Sequence, residues 1–172
     1  MHRASVLVMP MASKSPPPIR VFLFLTALML GCSGDRDPRQ LFVEGEFDRS
    51  FSAFEVLADK GDIEAANYLG MHYYLGFGTE KDFIKAAAWF HRAALLSQAN
   101  AQQNLGVLYL RGWGVEQDLM RAYGWLFKSY QLGNQSALPY LQVMSDQITP
   151  NHTLKAREWV DEQISLGSAA EL

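Results

Sequence analysis

Between Ala65 and Ser136 the chain writes one pattern twice, and at Ala137 it begins the pattern again. From Ala65 it reads AANYLGMHYYLGFGTEKDFIKAAAWFHRAALLSQAN, and from Ala101 it reads AQQNLGVLYLRGWGVEQDLMRAYGWLFKSYQLGNQS. At an offset of 36 residues, Leu69-Gly70 meets Leu105-Gly106, Tyr73 meets Tyr109, and Gly76 and Gly78 meet Gly112 and Gly114. Asp82 meets Asp118, Ala86 meets Ala122, and Trp89 meets Trp125. A fixed period of this size marks a stacked repeat, in which no unit buries its apolar face alone and each neighbour buries it for the next.

The periodicity within each copy is helical. Ala65, Leu69 and Tyr73 fall at i, i+4 and i+8, and Ala86, Trp89, Phe90 and Ala93 form a second stripe at i, i+3, i+4 and i+7. Between the stripes lies G-x-G and then an Asp. Glycine just beyond a helix supplies the left-handed backbone that ends it, and Asp82 and Asp118 stand where an N-cap accepts from the free amides of the next helix. Each unit therefore reads as helix, tight glycine turn, helix. Gly70 and Gly106 sit inside the first helix, where glycine costs about 1 kcal/mol against alanine. Close approach of the partner helix offsets that cost, with Trp89 and Trp125 expected to lie over them as core residues.

The motif A-x-x-x-L-G-x-x-Y-x-x-G-x-G-[VT]-x-x-D-x-x-x-A-x-x-W, present in both copies, resembles the Sel1-like repeats, relatives of the tetratricopeptide repeats. The resemblance implies an all-α fold, a right-handed α-solenoid of stacked helix–turn–helix units, and a role in protein–protein interaction. Two departures stand out. Ser97 replaces a usual glycine, and Ser129-Tyr130 replace the alanine pair that the first copy keeps as Ala93-Ala94.

Upstream, residues 1–20 hold Arg3, Lys14 and Arg20 with no acid, and Val21 to Leu30 is apolar apart from Thr26. A bilayer-spanning helix needs about 20 apolar residues, so this shorter run with a basic start reads as a secretory signal peptide. The one cysteine of the chain, Cys32, follows Gly31 at the expected cut. That arrangement resembles a bacterial lipobox, which implies lipidation of Cys32, a membrane attachment through that lipid, and a cell-envelope location. A single acyl chain holds only marginally, so permanent anchoring needs the several chains the resemblance implies. Ser33 in place of an Asp points to the outer membrane, facing the periplasm. One cysteine leaves no disulfide to form.

Ser33 to Gln40 is small, charged and proline-containing, and reads as a tether. A helical pattern begins at Leu41. Phe54 falls where Phe90 does, Ala58 where Ala94 does, and Gly61 where Ser97 does, which makes this an incomplete terminal repeat. Beyond Ala137 the third copy never reaches G-x-G. Thr149-Pro150 then opens another helix, with Ala156, Trp159, Val160 and Ile164 as its stripe, expected to close the last repeat's open face and to fray from Ser168. The expected organisation is a leader over 1–31, a tether over 32–40, a degenerate repeat over 41–64, repeats over 65–100 and 101–136, and a partial repeat with a closing helix over 137–167.

Residues 1–31 hold three of the 15 basic residues and none of the 18 acidic ones, leaving the remainder at a net charge of −6. An acidic domain without a basic stripe argues against a nucleic-acid partner. His72, His91 and His152 lack metal-ligand spacing, and G-F-G and G-W-G lack the Lys-Ser/Thr of a phosphate loop. No catalytic set, cofactor or metal site emerges. What remains is the surface of the first helices, which lines the concave side of such solenoids. Its candidates are Asn67, Met71 and Tyr74 from the first copy and Gln103, Val107, Leu110 and Arg111 from the second. This mixture of amide, apolar and aromatic groups suits another protein or peptide. Two alternatives stay open: an envelope enzyme or enzyme inhibitor of the secreted Sel1 type, and a saccharide-binding component of an export assembly.

Overall fold

Both full copies begin their second helix at the expected aspartate. Asp82 accepts from the amides of Ile84 and Lys85, and Asp118 from that of Arg121. The computed structural model of the chain describes residues 36–170. The leader and Cys32 lie outside the described residues. In chain order the helices are α1 (Pro38–Glu44), α2 (Phe47–Asp59), α3 (Ile63–Leu75), α4 (Phe83–Leu95), α5 (Ala99–Arg111) and α6 (Leu119–Gln131). A single 3-10 turn at Gln135–Ala137 leads into α7 (Leu138–Met144), and α8 (Pro150–Ala170) follows. From α1 to α7 each helix packs on the next, giving the all-α solenoid that the repeat requires.

The turn between the two helices of each repeat is also the joint between repeats. Gly76 and Gly112 cap α3 and α5 at φ +76° and +69°, and Gly78 and Gly114 follow at φ +65° and +69°. The loop closes when Asp82 N–H donates to Tyr73 O (2.9 Å) and Asp118 N–H to Tyr109 O (3.0 Å). The middle residue stacks on the first residue of the preceding second helix: Phe77 on Phe47 at 4.2 Å, Trp113 on Phe83 at 5.2 Å. The second glycine reaches the backbone of that same residue. A Cβ on Gly78 would lie 2.4 Å from Phe47 O, and one on Gly114 2.1 Å from Phe83 O.

The mid-helix glycines also permit close approach, although the expected tryptophan is not the neighbour. A Cβ on Gly70 would stand 2.6 Å from the Phe90 ring, and one on Gly106 2.7 Å from Leu126 Cγ. The residue after each Trp faces the glycine, so the Trp itself points away from α3 and α5. The two tryptophans then have different fates. Trp125 is fully buried and Trp89 only half so, with Arg92 lying 5.5 Å over its ring. The expectation of two equivalent core tryptophans is corrected by α8, which lies against α6 and, farther along, α4. Trp159 meets Trp125 edge-on at 5.9 Å. Gly124 lets α8 in, since a Cβ there would come 2.6 Å from Ala156 O. The closing helix therefore covers the outer side of the second helices. It does not lie across the solenoid's end, and it stays helical to Ala170, past the expected fraying point.

The tether is shorter than expected. Asp37 caps a helix that starts at Pro38, so residues 38–40 are helical. Ser97 holds φ 62° where the equivalent Gly61 and Gly133 have φ 90° and 92°, a left-handed slot filled at a steric cost. Ser129 is buried and donates to Ala99 O at 2.7 Å, which satisfies the hydroxyl that replaces a core alanine.

Two comparisons test this packing. Gly133→Ala places its Cβ in open space and should cost only the left-handed penalty, about 1–2 kcal/mol. Gly114→Ala adds a clash with backbone and should cost about 2–5 kcal/mol in urea unfolding; equal costs would contradict the joint. Trp125→Ala should cost about 3–5 kcal/mol, and Trp89→Ala less than half as much. Equal losses would mean that α8 does not distinguish them.

Candidate functional site

The first helices, α3 and α5, share a groove, and its walls come from positions at which the two repeats differ. At one end a cavity of about 160 Å³ lies among Met71, Tyr74, Leu75, Gln103, Asn104, Val107 and Tyr140, with Phe90 at its base. It adjoins a wider hollow of about 420 Å³ through Met71, Gln103 and Asn104. The hollow extends past Asn67, Tyr68 and Asn100 to Glu64 and to Phe42 and Val43 of α1. Five of the seven expected residues (Asn67, Met71, Tyr74, Gln103 and Val107) therefore come together. Leu110 does not line the groove; it packs into the C-terminal core with Leu119 and Tyr123. Arg111 is exposed on the last residue of α5, outside the groove. Asn67 was expected to be on the surface but is 4% exposed.

A carboxamide network organises the groove wall. Asn104 Nδ2 donates to Asn67 Oδ1 (3.2 Å), linking α5 to α3. Asn134, beyond α6, donates to Gln103 Oε1 (2.7 Å) and Asn100 Oδ1 (3.3 Å). Asn104, Asn134 and Tyr140 were missed in the sequence. The clustering of Asn and Gln on the first helices, Asn67 with Gln102, Gln103 and Asn104, was the available signal. Tyr74 is held at the rim by Phe83 (5.5 Å, edge-on) and Trp113 (6.1 Å).

A Ser–His pair lies beneath the groove's α1 end. His72 Nδ1 donates to Phe77 O (2.7 Å), because a carbonyl only accepts, and Ser50 Oγ lies 3.1 Å from Nε2 and 2.9 Å from Pro38 O. Both residues are fully buried under Phe42 and Phe51, so the pair meets no substrate and serves to join α1, α2 and α3. Among the described residues no cluster of His, Cys, Asp or Glu could hold a metal ion. Nor, among them, is any helix long and apolar enough to cross a membrane.

Burial holds the His72 imidazole below its ordinary range, opposed by the bond to Phe77, and burial does the same to His91. The unfolded chain therefore takes up protons near pH 6.5 that the folded chain resists. Stability from these groups is fully present above about pH 6.5 and falls as the pH drops through that value toward the folded pKa. The urea midpoint should be lower at pH 5.5 than at 7.5, with a shallower dependence in His91→Gln. A midpoint that rises on acidification would contradict the burial of both rings.

A two-helix unit repeated at 36 residues, joined by G-x-G turns and presenting a groove on its first helices, defines a helical-repeat protein of the α-solenoid class. The chain carries two Sel1 repeats: the Sel1 repeat family matches residues 63–97 and 99–134. One similar solved structure is a protective antigen of uropathogenic Escherichia coli with an SLR fold, 27% identical over 78% of this chain, with a TM-score of 0.68. Another is a Sel1 repeat protein from Oxalobacter formigenes, 36% identical over 57% of this chain, with a TM-score of 0.55. The chain spans only 29% of the length of each. No curated protein matches it. Sel1-repeat proteins generally mediate protein–protein interaction, and the scaffold is typically non-catalytic.

Proposed function

We propose that the chain is an interaction scaffold of the cell envelope, anchored through a lipid on Cys32, facing the periplasm from the outer membrane, and docking another protein in the groove of α3 and α5. The observation that carries the docking surface is the contrast between two sets of positions. Residues that hold the solenoid together recur at 36 residues, while Met71, Tyr74, Gln103, Val107 and Tyr140 line one continuous hollow and do not repeat. A solenoid that serves only as a spacer has no need of a shared, half-buried groove with its own side chains. The anchor is supported by the basic leader, the short apolar run and the position of Cys32.

Two measurements test the proposal. A photo-crosslinking amino acid at Val107 should yield protein adducts in intact cells, and one at Ile84, which is 71% exposed on α4, should yield few. The reverse ranking would place the interaction on the outer face and overturn the groove. Cys32→Ser should move the chain from the membrane to the soluble periplasmic fraction. A variant that still sediments with membranes would overturn the lipid as the attachment.

A further inference from the structure

We infer that the anchored chain lies with one edge against the bilayer surface: the edge formed by the loops between repeats, where Leu96, Leu132 and Leu166 meet the phospholipid headgroups. This inference rests on the reading that Cys32 carries the lipid, and adds which surface of the domain the membrane takes.

Contacts at the start of α1 fix where the tether joins. Asp37, Pro38 and Arg39 border a hollow with Asp62 and Glu64 at the start of α3, and Arg39 holds Glu64 at 3.3 Å. Glu64 also borders the groove beside Gln98 and Asn100 at the start of α5. Asn134, after α6, donates to Asn100 at 3.3 Å. The loops at 60–62, 96–98 and 132–134 therefore share one edge with the start of α1, and the G-x-G turns form the opposite edge. The far end of α8 comes to the first edge as well, since a Cβ on Gly167 would lie 2.8 Å from Leu95 Cβ.

Distance decides between the two edges. Pro38 is six positions from Cys32, so even a fully extended chain puts at most about 20 Å between them. The helices α3 to α6 have 13 residues each, which sets the edges about 20 Å apart. The loop edge can meet the bilayer at any extension of the tether, the G-x-G edge only at full stretch.

Composition agrees with distance. Residues 93–110 and 129–145 contain no Asp, Glu, Lys or Arg, so the second and third loops are uncharged. Leu96 and Leu132 stand at equivalent positions of successive repeats; Leu132 is 47% exposed, and Leu166, beside Gly167, is 61% exposed. The G-x-G edge instead carries Glu80, Lys81 and Lys85, then Arg111, Glu116 and Arg121, and its exposed Trp113 is already stacked on Phe83. Charged groups lose hydration at an apolar boundary, whereas a neutral edge with a few leucines gains by burying them. Three leucines are too few to hold a soluble protein on a membrane. Beside a short tether they act at the high effective concentration that linkage confers.

The test is spin labelling of the lipidated full chain in vesicles of phosphatidylethanolamine with a minority of phosphatidylglycerol. Lipid consumes the Cys32 thiol, so Leu132→Cys, Leu166→Cys, Glu116→Cys and Glu158→Cys each offer a single site for a nitroxide. In vesicles the first two labels should lose most of their relaxation by a water-soluble nickel chelate and gain relaxation by dissolved oxygen, relative to the same labels on the Cys32→Ser chain in buffer. The labels on the G-x-G edge and on α8, at positions 116 and 158, should be unchanged. Adding Leu96→Glu and Leu166→Glu to the Leu132→Cys chain should restore nickel access at position 132 while the protein still sediments with the vesicles. Should that variant lose its melting transition, the labels in the otherwise native chain decide. Free nickel access at positions 132 and 166 in vesicles, or protection at 116 in their place, would overturn the inference. So would protection from nickel without a gain in oxygen access, which would mean that a second copy or another protein covers the edge. A chain that does not sediment with vesicles overturns the anchor and this orientation together; one that sediments with position 132 open to nickel overturns the orientation alone.

Discussion

Everything in the solenoid depends on one backbone-to-backbone contact, the second glycine of each G-x-G seated on the first carbonyl of the preceding second helix. Gly78 on Phe47 and Gly114 on Phe83 approach so closely that no side chain fits between them. The contact fixes where one repeat stands on the last, and the flanking stacks of Phe77 on Phe47 and Trp113 on Phe83 give it apolar weight. Because the loop also ends α3 or α5 and delivers Asp82 or Asp118 to cap the next helix, one short segment sets three things together: the end of the first helix, the start of the second and the step between units. The groove follows from that step, since it is the space left between first helices held at that spacing.

The two repeats are alike in sequence and unlike in surroundings. The difference comes from α8, which lies over the outer side of α6 and α4. Its entry depends on Gly124, where the first repeat has Ala88, and it buries Trp125 while Trp89 keeps a face to solvent under Arg92. Arg121 lies over the rings of both Tyr109 and Trp159, and Lys128 meets Asp161 at 2.6 Å, so polar groups of α6 also seat this helix. Exposed pairs of this kind contribute little to stability, and the burial of Trp125, Ala156 and Val160 carries the contact. With the outer side covered there, the first-helix side is where the chain keeps its non-repeating half-buried surface.

Much of this was legible in the sequence, because repeats write local physics more than once. The helix–turn–helix unit, the left-handed glycines, the aspartate caps and the close approach at Gly70 and Gly106 all follow from residues within a few positions of one another. The partner at those glycines did not, since Trp89 and Phe90 are adjacent and a rotation of one residue decides which of them faces α3. The inequality of Trp89 and Trp125 was hidden as well, because it arises from a helix far along the chain. Helical spacing put Asn67, Met71 and Tyr74 on one side with Gln103 and Val107, and these five line the groove. It failed at the end of α5, where Leu110 turns into the core shared with Leu119. Asn67 was misjudged as exposed because its partner, Asn104, lies in the next repeat at no repeat-equivalent position.

The central claim is that binding takes place on the first helices, in the groove lined by the carboxamides of Asn67, Gln103 and Asn104. Side-chain NH₂ resonances in a ¹⁵N–¹H correlation spectrum report those groups directly. Titration with the protein captured by the crosslink at Val107 should shift the carboxamide signals of Asn67, Gln103 and Asn104 together with the backbone amides of Met71 and Val107, and leave those of α8 in place. Shifts confined to α8 and the exposed faces of α4 and α6, with the three carboxamides unmoved, would contradict the account.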